Sequence, residues 1–138
     1  YDNLAGLFTK TPLPGVGASL GLDRLLAAME ELQLVSKVST PAPVLVVHFD
    51  KDRAAEYLRI GRELRAAGIG AEVYAAPKPM KKQMQYADAK GFRFALIAGS
   101  NEFDKGCWML KDLARKEQHE VPETDLIQTL RQLLSTPA

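Results

Sequence analysis

The pattern of apolar and polar residues changes twice along the 138-residue chain. Residues 16–20 alternate apolar and small side chains, as a half-buried strand does. From Gly21 the apolar positions follow the spacing of an amphipathic helix, and Asp23 lies in its first turn, where the helix dipole favours a negative charge. Residues 35–43 then contain two prolines and several small polar residues, a composition typical of a linker. We therefore predict a strand–helix segment over residues 1–34 and a linker over residues 35–43.

Beyond the linker, apolar runs with the length of strands alternate with segments that have helical spacing. The predicted strands are residues 44–48, 71–76, 92–99 and 106–113. The predicted helices are residues 53–67, residues 80–91 and a final helix that is entered through Pro122 and buries Leu126, Ile127, Leu130, Leu133 and Leu134.

This order, β-α-β-α-β-β-α, predicts one small α/β domain over residues 44–138. Strands that are separated by helices should be parallel, with right-handed crossovers. The third and fourth strands are separated only by the short polar stretch SNEFDK, so we expect them to pair antiparallel through a loop. The prediction is a mixed, mostly parallel sheet flanked by helices, preceded by the strand–helix segment.

Composition excludes several classes of protein. The chain is 46% hydrophobic and 25% charged, with a net charge of +1, so it is not a bulk polycation. No apolar run approaches the roughly 20 residues of a membrane span, so we expect no membrane partner. The single cysteine, Cys107, cannot form an intrachain disulfide and fits a reducing compartment. Because the sequence starts at Tyr1 without a methionine, we expect it to be a piece of a longer protein.

The glycines of residues 15–21 raise two hypotheses about chemistry. A dinucleotide-binding loop needs a buried strand before its glycines, and the preceding residues TKTPLP do not form one. What remains is a glycine-containing strand that leads into a helix, with Arg24 one turn inside it. Arginine near such a site can hold a phosphate through two hydrogen bonds or stack on a base. The residues alone leave open that Arg24 is a solvated helix residue.

Three stretches of sequence carry a resemblance to a known family. GASLGLDRLL resembles motif 3 of class II aminoacyl-tRNA synthetases, and YDNLAGLF resembles the histidine-binding stretch of histidyl-tRNA synthetases. MKKQMQYADAKGFRFALIAGSNEF is similar to the anticodon-binding domain of the same family. The three stretches occur in the order of that family, and the resemblance covers essentially the whole chain. The resemblance implies that residues 1–34 are the end of a catalytic domain and residues 44–138 an anticodon-binding domain.

The resemblance also assigns roles to individual residues. Arg24 would be the motif 3 arginine, a catalytic residue that packs on the adenine of ATP, with Gly21 leaving room for the nucleotide and Tyr1 lining the histidine pocket. Asn3 replaces the usual glycine, and motifs 1 and 2 are not in the sequence, so we expect the chain alone to be inactive. The whole protein would be a cytoplasmic homodimer that uses ATP with magnesium to join histidine to the histidine tRNA.

Lysines concentrate where the dipole of a predicted helix disfavours them. Lys78, Lys81 and Lys82 surround the start of the helix that begins near residue 80. Ammonium groups beside free amide N–H groups make an anion site, and RNA phosphate is the anion we predict, although solvated surface lysines would give the same sequence. Gln83 and Tyr86, one turn further on, are the candidates for contacts with bases, Gln83 being the weaker of the two. For Tyr86 the residues favour packing at the rim of the sheet over stacking on a base.

Other chemistries find little support. One cysteine and two distant histidines, His48 and His119, lack the spacing of a metal site, so we predict no metal ligands in the chain. His48 ends a predicted strand, His119 falls in a polar turn, and Cys107 belongs to the predicted core. Two alternatives remain for function: a synthetase-like domain that binds tRNA for regulation without aminoacylation, and a flavodoxin-like domain that binds a small ligand.

Overall fold

Tertiary contacts divide the chain into two compact units, Tyr1–Lys37 and Val38–Ala138. The computed structural model describes residues 4–13, 15–35 and 40–135. Across these ranges every helix is too short or too polar to cross a membrane. The two units are described separately below.

The first unit contains little regular structure. A short 3-10 turn covers Ala5–Leu7, and helix α1 covers Leu22–Glu31. The predicted strand over residues 16–20 is wrong, because these residues are exposed and have no strand pairing. The physical reason is that a strand needs a neighbour for its backbone N–H and C=O groups, and no described residue of this unit provides one. Helix α1 has no buried residue.

The second unit has a five-stranded sheet with helices on both faces. Its strands are β1 (Val44–Val46), β2 (Ala71–Val73), β3 (Phe94–Ile97), β4 (Cys107–Asp112) and β5 (Glu117–Pro122). Its helices are α2 (Ala54–Ala66), α3 (Met80–Lys90), α4 (Ser100–Lys105) and α5 (Leu126–Ser135). Single 3-10 turns precede α2 and α5, at Lys51–Arg53 and Glu123–Asp125.

The strand order is β2-β1-β3-β4-β5. β1 pairs parallel with β2 and with β3, whereas β3 and β4, and β4 and β5, pair antiparallel. The predicted mixed α/β fold is therefore confirmed, including the change from parallel to antiparallel pairing after β3. Three details of the prediction are wrong. The sheet is not mostly parallel, because β5 adds a second antiparallel pairing and two of the four strand pairings are then antiparallel. SNEFDK forms helix α4 rather than a loop, and residues 117–122 form strand β5, so His119 lies on an edge strand and not in a turn.

The main core lies on one face of the sheet. There α2 and α5 pack through Tyr57, Ile60, Leu64, Leu126 and Leu130 against alternate residues of β1, β3 and β4, among them the fully buried Trp108. A smaller cluster on the opposite face joins Leu45 of β1 to Ala87 of α3 and to Phe92. Gly91 ends α3 with a φ of 73°, a left-handed conformation that glycine adopts without strain. The two clusters place α3 and α2 on opposite faces of the sheet.

Candidate nucleic-acid interface

The three predicted phosphate-binding lysines lie together at the start of α3. Pro79 is the N-cap of the helix, so Lys78 precedes it and Lys81 and Lys82 fall in its first turn. All three side chains are exposed, and the first turn contains no acidic residue. Among the described residues, no carboxylate forms an ion pair with any of them. These residues, called the lysine cluster below, leave their charges available to an anion beside the free N–H groups of the helix.

Gln83 has a different environment from the one that the sequence suggested. Its side chain is fully buried. Its Oε1 accepts a hydrogen bond from the backbone N–H of His48 at 2.9 Å, and its Nε2 donates to the carbonyls of His48 and Lys78, both at 2.8 Å. The carboxamide is thus used to join the end of β1 to the segment before α3. It holds Lys78 in place and does not face a groove where a base could bind.

Tyr86 packs at the rim of the sheet. Its hydroxyl donates to Oε1 of Glu72 at 2.6 Å, and its ring meets Tyr74 edge-on, with 5.3 Å between the ring centroids. The hydrogen bond to Glu72 raises the pKa of the tyrosine above its ordinary value. These contacts, together with the Phe92 ring at 6.0 Å between centroids, correspond to the packing alternative that the sequence favoured.

The face of the sheet that carries α3 is only partly covered. Ile97 of β3, Met109 and Lys111 of β4 and Gln118 of β5 line an open cavity of about 380 Å³ beside the helix. Met80 and Met84 of α3, together with Phe49, Gly99 and Glu102, complete its walls. A second cavity next to it, also about 380 Å³, contains Lys51, Pro77 and Lys78 and shares Phe49 and Met80. The first cavity is called the sheet groove below.

Phe49 stands between the two cavities with its side chain 55% exposed. Its backbone neighbours are both held by buried side chains, because Gln83 binds His48 and the Tyr57 hydroxyl accepts from the N–H of Asp50 at 3.1 Å. A methyl group built on Gly99 would lie 3.2 Å from two carbons of the Phe49 ring, so the ring lies close against the glycine. The sequence pattern did not predict a binding role for Phe49, Lys111 or Gln118. An apolar aromatic just beyond the end of β1, between His48 and Asp50, was the available signal for the first of them.

Two further groups identified in the sequence belong to the framework. Cys107 is buried, and burial raises the pKa of its thiol, so it is held as an unreactive core residue. His48 is nearly buried, and its Nε2 has no hydrogen-bond partner among the described residues. In the described ranges, no group of three or more His, Cys, Asp or Glu side chains could hold a metal ion.

The first unit carries the residues that the resemblance assigns to ATP and histidine. Tyr1 lies outside the described residues. Arg24 is exposed in the first turn of α1, and Gly21 is its N-cap. A methyl group on Gly21 would meet only the Arg24 side chain, at 3.8 Å, so nothing in the described chain requires a glycine there. The exposed guanidinium of Arg24 is accessible to a phosphate.

Comparison with known proteins identifies the class of domain to which this fold belongs. Residues 43–133 match the family described as the anticodon binding domain. The match covers most of the chain, so the chain belongs to the anticodon-binding domain family.

The particular relatives are histidine–tRNA ligases, which confirms the resemblance found in the sequence. The enzyme of Rhodopirellula baltica is 55% identical over 121 residues, which are 88% of this chain and 27% of the relative. That of Xanthomonas campestris pv. campestris is 40% identical over 95% of this chain and 28% of the relative. The crystal structure of histidyl-tRNA synthetase from Nostoc sp. PCC 7120 is 33% identical, with a TM-score of 0.74, over 83% of this chain and 28% of that one.

The chain therefore spans just over a quarter of the length of the relatives it matches. These comparisons do not favour either alternative function, the regulatory tRNA-binding domain or the flavodoxin-like domain.

Proposed function

We propose that the chain is the tRNA-binding end of a histidine–tRNA ligase. The observation that carries the proposal is the lysine cluster, which has no carboxylate partner and lies at the start of α3 on a domain of the anticodon-binding family. Three cations beside free backbone N–H groups suit the phosphates of an anticodon loop. Contacts to phosphate position an RNA without selecting its sequence.

The other residues have more limited roles in this proposal. Gln83 acts as a positioning residue, since it joins His48 to the carbonyl of Lys78 and thereby fixes the segment that carries the lysine cluster. Tyr86 supports the edge of the sheet through Glu72. Base selection then has to come from residues other than these two.

The remainder of the proposal concerns the whole protein. Its first segment would contribute Arg24 to catalysis, with Gly21 beside the nucleotide and Tyr1 in the histidine pocket. ATP with magnesium, histidine and the histidine tRNA are then its substrates and partners. By the same resemblance the protein is a homodimer of the cytoplasm. Since motifs 1 and 2 of the family are not in the sequence, we expect this chain alone to form no histidyl-adenylate.

The test is the salt dependence of binding to the histidine tRNA. Changing Lys81→Ala together with Lys82→Ala should weaken binding to cognate and non-cognate tRNA alike. The slope of log affinity against log salt should become less steep by about 0.7 for each lysine that contacts a single-stranded phosphate. Arg62→Ala is the control for lost charge, because Arg62 is an exposed cation on α2, on the opposite face of the sheet. A slope that the double change leaves unaltered would contradict the phosphate contacts.

A further inference from the structure

The sheet groove has a composition that an ordinary solvent-facing sheet does not have. Where one face of an antiparallel sheet meets water, its residues are normally polar. Here Ile97 and Met109 of the sheet join Met80 and Met84 of α3 in a half-buried apolar surface. Contiguous apolar surface of this kind marks a binding site. The volume of about 380 Å³ lies within the roughly 300–1,000 Å³ of small-molecule pockets.

Charge at the border of the groove favours an RNA occupant over an apolar peptide. Lys111 lies on its floor, and Lys51 and Lys78 border the adjoining cavity that shares Phe49. The acidic residue that lines the groove, Glu102, has one carboxylate oxygen engaged, since its Oε2 accepts from the N–H of Gly99 at 2.8 Å. An apolar groove bordered by lysines is complementary to a flat ring with apolar faces that is attached to a negatively charged backbone.

Phe49 provides the flat partner for such a ligand. Its ring is supported by Gly99, and its backbone is held on both sides through Gln83 and Tyr57. An exposed aromatic that is held rigidly among cations is the common device for stacking an unpaired base. Beyond the ring, Gln118 offers both a donor and an acceptor, and Lys111 a donor, to the edge of the base.

We propose that an unpaired base of the anticodon loop stacks on Phe49 and enters the sheet groove, where Gln118 and Lys111 bind its polar edge. The proposal rests on the proposed function, because it requires that the chain binds tRNA. It assigns the phosphates to the lysine cluster and the choice of base to the groove. The salt dependence of binding and the sequence preference are therefore expected to respond to different substitutions.

The experiment measures binding of the full chain to an anticodon stem–loop of the histidine tRNA that carries 2-aminopurine at one loop position at a time. Phe49→Ala should weaken binding by roughly 5- to 100-fold. It should also abolish the quenching of 2-aminopurine fluorescence that stacking causes at one loop position. The slope of log affinity against log salt should not change, because no phosphate contact is lost. Phe49→Trp should retain binding and quenching. Phe49→Leu keeps apolar bulk without an aromatic face, and binding by this variant equal to that of wild type would overturn the stacking.

Leu58→Ala is the matched control, because Leu58 is an apolar residue that is 59% exposed on α2. This variant should bind the stem–loop like wild type. Gln118→Ala should reduce the preference for the cognate loop over one with a substituted anticodon base by about tenfold. If the Phe49 variants bind like wild type while the lysine variants show a less steep dependence of affinity on salt, the groove proposal fails and the proposed function stands. A wild-type chain that does not bind the stem–loop at any salt concentration overturns both.

Discussion

Helices α1 and α5 have the same length and the same kind of sequence, but their apolar faces lie in different surroundings. Each covers ten residues with leucines at helical spacing. In α5, Leu126 and Leu130 are fully buried, whereas Leu25 and Leu26 of α1 are 42% and 44% exposed. An amphipathic pattern therefore specifies a helix and its apolar face, but burial depends on whether the chain supplies a partner for that face.

This difference in burial distinguishes a domain that has its own core from a segment that has none. The sheet and helices of residues 40–135 enclose a core, while α1 buries nothing. Since the chain spans just over a quarter of its relatives, we expect the rest of such a protein to cover the leucines of α1.

The largest difference in the free energy of unfolding should come from shortening one leucine in each of these two helices. Leu130→Ala should lower the free energy of unfolding by about 2–5 kcal/mol, because it leaves a cavity in the main core. Leu25→Ala in α1 should change it by less than about 0.5 kcal/mol, as exposed substitutions usually do. Urea denaturation of the two variants beside wild type measures both values. Equal losses would mean that the leucines of α1 are buried in solution.

A carboxylate in each region gives a smaller contrast. Glu123 accepts from Arg59 Nη2 at 2.9 Å through both oxygens and from Trp108 Nε1 at 3.0 Å, joining α2 and β4 to the turn before α5. The pair is about one-third exposed, so after allowance for solvent screening Glu123→Gln should cost about 1 kcal/mol. Glu30→Gln in α1 is the control and should cost nothing measurable. Equilibrium unfolding at neutral pH compares the two.

The cost of Glu123→Gln should also depend on pH. Burial raises the pKa of Glu123, but the hydrogen bonds from Arg59 and Trp108 outweigh it and hold the pKa below the ordinary value of 4.5. A lowered folded-state pKa gives stability that is fully present above 4.5 and is lost as the pH falls through the lowered value. The difference between wild type and variant should therefore shrink below pH 4.5. A difference that grows in acid would contradict this role.

Most of the fold followed from the sequence because its central strands are continuous apolar runs. β1 and β3 are buried on both faces, and such runs are easily distinguished from the helices between them. β5 escaped prediction because it is an edge strand with one buried residue, Val121, and its stability comes from pairing with β4 rather than from its own pattern. The strand predicted at residues 16–20 failed for the opposite reason, since its pattern is suitable but it has no partner strand.

The site was predictable only where it depended on local sequence. The lysine cluster was located because Pro79 and the spacing of α3 define the start of a helix. Gln83 could not be placed, since its partner His48 lies 35 residues away in sequence. The sheet groove depends on three strands and two helices, including the unpredicted β5 and α4, so no pattern along the chain indicated that Gln118 and Phe49 line the same cavity.

Removal of the first segment is expected to have the smallest effect on stability. A chain of residues 40–138 should unfold cooperatively at nearly the temperature of the whole chain, because no residue of α1 is buried. Thermal unfolding followed by circular dichroism tests this. A broad transition without cooperativity would show that residues 1–39 belong to the same core.

Binding of the histidine tRNA by that shortened chain is the most direct test of whether the packed domain alone carries the RNA-binding function. Its dissociation constant should lie within about twofold of the value for the whole chain at the same salt concentration, since the lysine cluster and the sheet groove are both retained. A loss of about tenfold or more, equivalent to about 1.4 kcal/mol, would show that the first segment contributes directly to binding and would contradict the assignment.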